Sequence, residues 1–256
     1  VFGLLISTQK LARSALSIKK TIKSAVHSVR MVPHQAIELG SATVLYNKLT
    51  STAGREFLII SDGTNTIVAV TSYVQDIDVY AARDQARPHR DAKVGMLPPK
   101  LAQIIINLSC ASAELQTANN KQIQNQMPVT RTRILDPFCG TGVVLQEAML
   151  MDYDIYGSDL EPRMVQYSID NLNWLDARYP DVGDYRRIEV GDATKHHWYE
   201  PEKITAVAAE TYLGQPLSTL PNSEHLGKIM KEVNQLHHRF LQNISSQLKS
   251  GTRLCL

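Results

Sequence analysis

The 256-residue sequence predicts an α/β protein built on a doubly wound, mostly parallel sheet, with a smaller α/β domain ahead of it. Three observations carry that expectation. From residue 131 onward, short aliphatic runs alternate with longer stretches of helical period, the pattern of successive βα units. The first of those runs enters the glycine turn Asp136-Pro137-Phe138-Cys139-Gly140-Thr141-Gly142 and continues into a helix. Upstream, residues 83–100 concentrate Arg, Lys, Gly and Pro, which marks a linker or functional loop between two folded parts. The expected divisions are therefore 1–82, a linking segment 83–100, and 101–256.

In the first part, Phe2–Ser7 reads as a strand. Leu11–Val26 reads as a basic helix with Leu11, Ala15, Ile18, Ile22 and Val26 on its apolar side. Ser28–Val32 reads as a short strand stopped by Pro33, and Ser41 as the cap of a helix ending at Leu49. Phe57–Ile60 and Ile67–Tyr73 read as a hairpin turned at Asp62-Gly63. Beyond the linker, Leu101–Leu115 reads as a helix with Leu101, Ile104, Ile105 and Leu108 on one face. Residues 116–126, rich in Gln and Asn, read as an exposed loop. Strands are expected at Arg133–Leu135, Asp154–Gly157, Tyr185–Val190, Ile204–Ala209 and Thr252–Leu256. Helices are expected at Val143–Met151, Pro162–Ala177 and His225–Leu248.

Composition narrows the function classes. Hydrophobic residues make up 43% and charged residues 20% of the chain, as in a globular protein. No apolar run approaches the ~20 residues that cross a bilayer. The opening Val1-Phe2-Gly3-Leu4-Leu5-Ile6 is too short for a secretion signal and lacks a basic lead-in. A cytoplasmic protein with no membrane partner is expected. Val1 is not an initiator Met, and Leu256 ends inside a strand-like run, so the sequence reads as part of something longer, with the last strands of the sheet missing. Cys110, Cys139 and Cys255 have neither disulfide nor metal spacing, and no metal is expected. The adjacent pairs His196-His197 and His237-His238 read as solvated surface.

The net charge of +2 is unremarkable, but its distribution is not. Residues 1–60 hold Lys10, Arg13, Lys19, Lys20, Lys23, Arg30, Lys48 and Arg55 against Glu38 and Glu56 alone. The first domain can thus face phosphate; an ordinary solvated basic helix face is the equal alternative.

In a parallel sheet, ligands bind beyond the carboxyl ends of the strands. Asp136 ends the first strand beside a close-approaching glycine turn. A dinucleotide fingerprint would need a third glycine, and Asp136 would repel a pyrophosphate. A cationic cofactor bearing an amino acid suits the carboxylate better. Asp159 ends the second strand after Tyr156-Gly157-Ser158, where it can hold both hydroxyls of a ribose. Asp192, in Gly191-Asp192-Ala193, can accept from an adenine amino group. Each Asp alone is weak; the ordered set is specific.

On these residues, 94–215 resemble the class I S-adenosylmethionine-dependent methyltransferases, whose sheet is Rossmann-like. More narrowly, Arg87-Pro88, Gly95 to Ala102, Asp136 to Gly142 and Tyr156 to Asp159 resemble the THUMP-domain tRNA guanosine-N2 methyltransferases, which act on the guanosine at tRNA position ten. Residues 1–80 are similar to a THUMP core. The resemblance implies S-adenosylmethionine as cofactor, held by Pro98, Asp136, Phe138, Cys139, Gly140, Gly142, Asp159, Leu160, Asp192 and Ala193. It implies RNA contacts through Lys19, Lys20, Lys23, Arg87 and Arg90, with Arg83 and Lys93 continuing the track. The family's fourth motif, D-P-P-Y-G, stands here as Ala209-Glu210-Thr211-Tyr212-Leu213-Gly214, without the prolines. Glu210 is then the acceptor for the target amine and Tyr212 the stacking ring. The expected activity is methylation of guanosine N2 in tRNA by a monomer, with an accessory protein left open. Adenine-N6 methylation and a non-catalytic RNA-binding module are the alternatives.

Overall fold

A computed structural model describes residues 8–25, 29–32, 39–61, 63–91, 96–119, 132–180, 182, 186–214, 217 and 219–256. The chain divides into two units, Val1–Ala81 and Ala82–Leu256.

The first unit contains α1 (Thr8–Lys23), α2 (Ser41–Tyr46) and an antiparallel hairpin of β1 (Phe57–Ser61) and β2 (Thr66–Val70). Phe57 pairs with Val70 and Ser61 with Thr66. Several expectations are corrected here. Residues 29–32 form no strand. Gly40, not Ser41, caps α2, and that helix stops at Tyr46. β2 ends three residues before Tyr73. The expected strand Phe2–Ser7 lies outside the described residues. An unexpected helix, α3 (Ile77–Gln85), follows the hairpin. Asp76 starts it by accepting the backbone N–H groups of Asp78 and Val79, both at 3.1 Å, which satisfies two donors that the first turn leaves free.

The second unit is a five-stranded parallel sheet in the order β5-β4-β3-β6-β7. Its strands are β3 (Arg133–Asp136), β4 (Asp154–Asp159), β5 (Arg186–Val190), β6 (Ala206–Ala208) and β7 (Arg253–Cys255), with a short 3-10 turn at Pro201–Lys203. Its helices are α4 (Pro99–Asn119), α5 (Val143–Leu150), α6 (Pro162–Arg178) and α7 (Ser223–Ser245). Successive strand residues point to opposite faces, and two cores result. Ile134, Ile155 and Ala206 face α4, α5 and α6. Leu135, Tyr156 and Val207 face Phe240 and Ile244 of α7. Helices on both faces explain why the strands read as continuous apolar runs.

In α4 the face named from the sequence is mostly not the buried one, although Ile105 packs partly against the core. Ala102, Ile106 and Cys110 are buried, whereas Leu101, Ile104 and Leu108 are exposed. It also continues to Asn119, so residues 116–119 are helical rather than loop. α7 begins two residues earlier than expected, where the Asn222 side chain accepts from His225 N at 2.8 Å.

Within the segment expected as a linker, the described residues include buried side chains. Arg83 is buried and donates to Glu147 on α5 at 2.8 Å, while Gln103 on α4 donates to the other oxygen at 2.6 Å. Burial pushes the Glu147 carboxyl up, against the pull of Arg83. Breaking a buried pair from one side is costly, because the remaining charge stays desolvated. Glu147→Leu is therefore expected to lower unfolding free energy by about 3–5 kcal/mol, measured as a reduced urea midpoint at unchanged slope.

Candidate active site

The strand order reverses between β3 and β6: connections from β3 run outward to β4 and β5, then return across to β6. At such a point neighbouring connections diverge and a crevice opens at the carboxyl ends. The glycine turn leaves β3 there. Gly142 has φ +84, and a Cβ at this position would meet Ser168 Oγ at 2.9 Å and Ser168 Cα at 3.2 Å. Only glycine takes that conformation freely in that space. α6 fastens the turn: Ser168 Oγ donates to the Gly140 carbonyl at 2.8 Å, and Asn171 Nδ2 to the Thr141 carbonyl at 2.8 Å. Gly157 on β4 serves the same approach, since a Cβ there would meet Leu145 at 2.5 Å.

Asp136 is 1% exposed and accepts from Phe138 N at 3.1 Å. Burial pushes its carboxyl well above the ordinary range, and the neighbouring charges of Asp159 and Glu210 push it further. Asp159 accepts from Gly140 N and Glu161 N, both at 2.9 Å, so it ties the glycine turn to the tip of β4. Burial raises its pKa as well. Its oxygens have further lone pairs for two hydroxyls. Asp136, Asp159 and Glu210 thus bring three carboxyl groups together at the tips of β3, β4 and β6.

Asp192, at the tip of β5, is arranged differently. Its Oδ1 accepts from Thr194 N at 2.9 Å and Thr194 Oγ1 at 2.7 Å, and its Oδ2 lies 3.5 Å from Lys195 Nζ. The Thr194 bonds hold its pKa below the ordinary range. The adjacent Ala193 is buried, and its N–H has no acceptor among the described residues.

Phe138 packs edge-on against Phe240, with ring centroids 5.0 Å apart, so it supports the wall rather than standing free. Cys139 is buried, and desolvation beside Asp136 and Asp159 raises its thiol pKa. Leu160, Pro98, Glu210 and Tyr212 are exposed; Pro98 ends the approach to α4, whose first residue is the buried Pro99. Lys20 and Lys23 are exposed on the last turn of α1, with Lys19 partly so, and Arg90 is exposed beside Met96.

Two basic residues are corrected. Arg87 is 4% exposed, and its Nε and Nη2 atoms are sealed from solvent without hydrogen-bond partners. Desolvation lowers its pKa. An RNA phosphate does not reach those atoms. Arg83, paired with Glu147, is likewise inside. His196 also departs from the surface reading: its Nε2 sits 2.7 Å from Glu189 Oε1, and its ring covers Gly191. The residues that sequence reasoning missed are Ser168, Asn171, Asn243 and Gln247. Each is a polar side chain that holds backbone carbonyls distant in sequence, and no local pattern announces such a partner.

The set suits a cationic nucleoside: carboxyl groups at β3, β4 and β6, and beside β5 the Ala193 N–H, which has no acceptor among the described residues. Among the described residues no cluster is arranged to hold a metal ion, and no helix is long and apolar enough to cross a membrane.

Residues 128–256 match the family model described as RMKL-like, methyltransferase domain. The chain is 30% identical over 175 residues to the tRNA (guanine(10)-N2)-dimethyltransferase of Methanothermobacter thermautotrophicus, covering 68% of this chain and 42% of that protein. It is 33% identical over 154 residues to the protein of the same name from Pyrococcus abyssi, covering 60% of this chain and 36% of that one. The chain therefore spans less than half the length of these curated relatives. Among solved structures, an amino pentose methyltransferase from Micromonospora echinaspora with bound S-adenosylmethionine aligns at 18% identity and a TM-score of 0.30, over 58% of this chain and 48% of that one. An rRNA methylase from Streptococcus thermophilus aligns at 14% identity and a TM-score of 0.32, over 48% and 58%.

The raised Asp136 pKa has a consequence for stability. Below about pH 4 the carboxyl is protonated in folded and unfolded chains alike, and its charge costs nothing. As pH rises, the unfolded chain releases its proton first, so stability falls until the folded carboxyl also titrates. Asp136→Asn keeps an acceptor for Phe138 N. Thermal melts from pH 4 to 8 are expected to show a higher Tm for this variant at neutral pH, by about 2–4 °C per kcal/mol relieved. Near pH 4 the two proteins should melt together.

Proposed function

The chain belongs to the RMKL-like methyltransferase domain family, and from that premise we propose that it transfers a methyl group from S-adenosylmethionine to the exocyclic N2 of a guanosine in tRNA. The observation that carries the reading is the gathering of Asp136, Asp159 and Glu210 where the strand order reverses. Both relatives are named for action on guanine N2, and an acidic acceptor beside a cofactor crevice is what that amine requires.

S-adenosylmethionine, when bound, supplies a methyl group on sulfonium already activated for transfer to nitrogen. The residues of the chain bind and orient. Asp136 would attract the ammonium end of the cofactor, Asp159 would accept from its ribose hydroxyls, and the Ala193 N–H would serve its adenine. Glu210 accepts from the guanine amine and turns its lone pair toward the methyl group. Tyr212, 43% exposed, stacks on the base, an interaction worth ~1–3 kcal/mol. A guanosine inside a stem must be flipped out to arrive there. No strong base is required, because the nitrogen becomes acidic as it takes the methyl group and releases one proton to Glu210 or to water; positioning can supply ~7–11 kcal/mol of barrier reduction. The first unit acts as a THUMP-like anchor for tRNA in the cytoplasm, with Lys19, Lys20 and Lys23 on phosphate, and Arg90, in the second unit, is a phosphate contact of its own.

Incubation with tritium-labelled S-adenosylmethionine and bulk tRNA, followed by nucleoside analysis, tests this. Label in N2-methylguanosine is expected, falling on the order of a hundredfold in Glu210→Ala while S-adenosylhomocysteine still binds. Label in N6-methyladenosine, or binding of S-adenosylhomocysteine with no transfer to RNA, contradicts it. Joint replacement of Lys19, Lys20 and Lys23 by Glu should raise KM for tRNA. It should also lower the salt dependence of binding, by about 0.7–0.9 in logarithmic slope for each phosphate no longer neutralised. Affinity for S-adenosylhomocysteine should not change.

A further inference from the structure

The turn after β5 is held from outside itself. Asn243, in the last turn of α7, donates from Nδ2 to the Ala193 carbonyl at 3.0 Å and to the His196 carbonyl at 2.9 Å. Gln247, four residues on, donates to the same His196 carbonyl at 2.9 Å and to Asn243 Oδ1 at 3.1 Å. Its own Oε1 accepts from Trp198 N at 3.1 Å. Every hydrogen-bonding atom of the Asn243 carboxamide is therefore used, and both donors go to one short stretch of backbone.

The same stretch is fixed from the strand side. The His196 ring lies where a side chain at Gly191 would stand, 2.5 Å from a Cβ built there, and its Nε2 meets Glu189 Oε1 at 2.7 Å. Glu189 also accepts from the Tyr156 hydroxyl and, at 2.8 Å, from Arg187 Nε. Trp198 Nε1 reaches the buried Ser158 Oγ at 3.1 Å. A turn needing only to connect β5 to the next strand would not call for clamps on both sides. What the clamps fix directly are the Ala193 and His196 carbonyls, and with them the start of the turn that carries the Ala193 N–H and the Asp192 carboxylate, the two groups suited to the edge of a purine.

We propose that Asn243 and Gln247 are positioning residues that set the selectivity of the cofactor pocket for adenine, by locking residues 193–198 against α7. The inference rests on the cofactor reading above. α7 is also the helix entered from the loop carrying Glu210 and Tyr212, and its Phe240 packs on Phe138 of the glycine turn. One rigid element thus supports the purine side of the pocket and its wall.

The test compares two ligands that differ only at the purine edge: S-adenosylhomocysteine and S-inosylhomocysteine, in which the exocyclic amine is replaced by a carbonyl oxygen. Calorimetric Kd values are measured for the unmodified protein, Asn243→Leu and the nearly isosteric Gln247→Met, with thermal melts confirming folding. The unmodified protein is expected to prefer the adenine ligand. Asn243→Leu should weaken the adenine ligand about tenfold, the equivalent of one missing hydrogen bond at a buried site. It should weaken the inosine ligand much less, so that the preference ratio collapses. Gln247→Met should lower the ratio in the same direction by a smaller factor. If folded variants keep the ratio of the unmodified protein, whether or not both affinities fall together, the amides are merely structural and the proposal is overturned. If the unmodified protein binds neither ligand, the cofactor reading itself fails, and the inference falls with it.

Discussion

Parallel pairing delivers the carboxyl end of every strand to one edge of the sheet, and the reversal of order between β3 and β6 opens that edge. The rest of the second unit follows from this constraint. The glycine turn can enter the opening only because α6 holds it close, through Ser168 and Asn171, and because glycines at 142 and 157 remove the side chains that would collide. The bond from Gly140 N to Asp159 then joins two strand tips into one wall. The acidic groups at β3, β4 and β6 are neighbours because of topology, not because of their spacing in sequence.

That arrangement has a thermodynamic cost. Asp136 is buried among like charges, and the Phe138 backbone N–H that donates to it offsets that only in part. A side chain selected for stability alone would not carry that charge there, and strained or desolvated groups concentrate where a ligand relieves them. Glu147 gives the contrast. It is equally buried, but a guanidinium and an amide meet its two oxygens, as expected of a charge that serves packing.

Much of this is legible in the sequence. The turn from Asp136 to Gly142 and the strands on either side announce themselves through glycine placement and short aliphatic runs. Burial on both faces leaves a strand little freedom of composition. The orientation of α4 is not legible, because Leu101, Ile104 and Leu108 repeat at helical spacing as well as Ala102, Ile106 and Cys110 do. The helix packs over β6 and β7 with the side of Ala102, Ile106 and Cys110 buried, and hydrophobicity alone does not distinguish the two faces. Arg87 and Arg83 read as a phosphate track because a basic run looks the same whether it meets RNA or the protein interior. Asn171, Asn243 and Gln247 are invisible for a simpler reason: an amide on a helix gives no sign of which distant carbonyl it will hold.

A crystal structure grown with S-adenosylhomocysteine tests the central claim most directly. The account predicts the ligand in the crevice at the ends of β3, β4 and β5, with ribose hydroxyls on Asp159 and the purine edge at Ala193. Density for the ligand elsewhere on the protein, with Asp136 and Asp159 untouched, would contradict it.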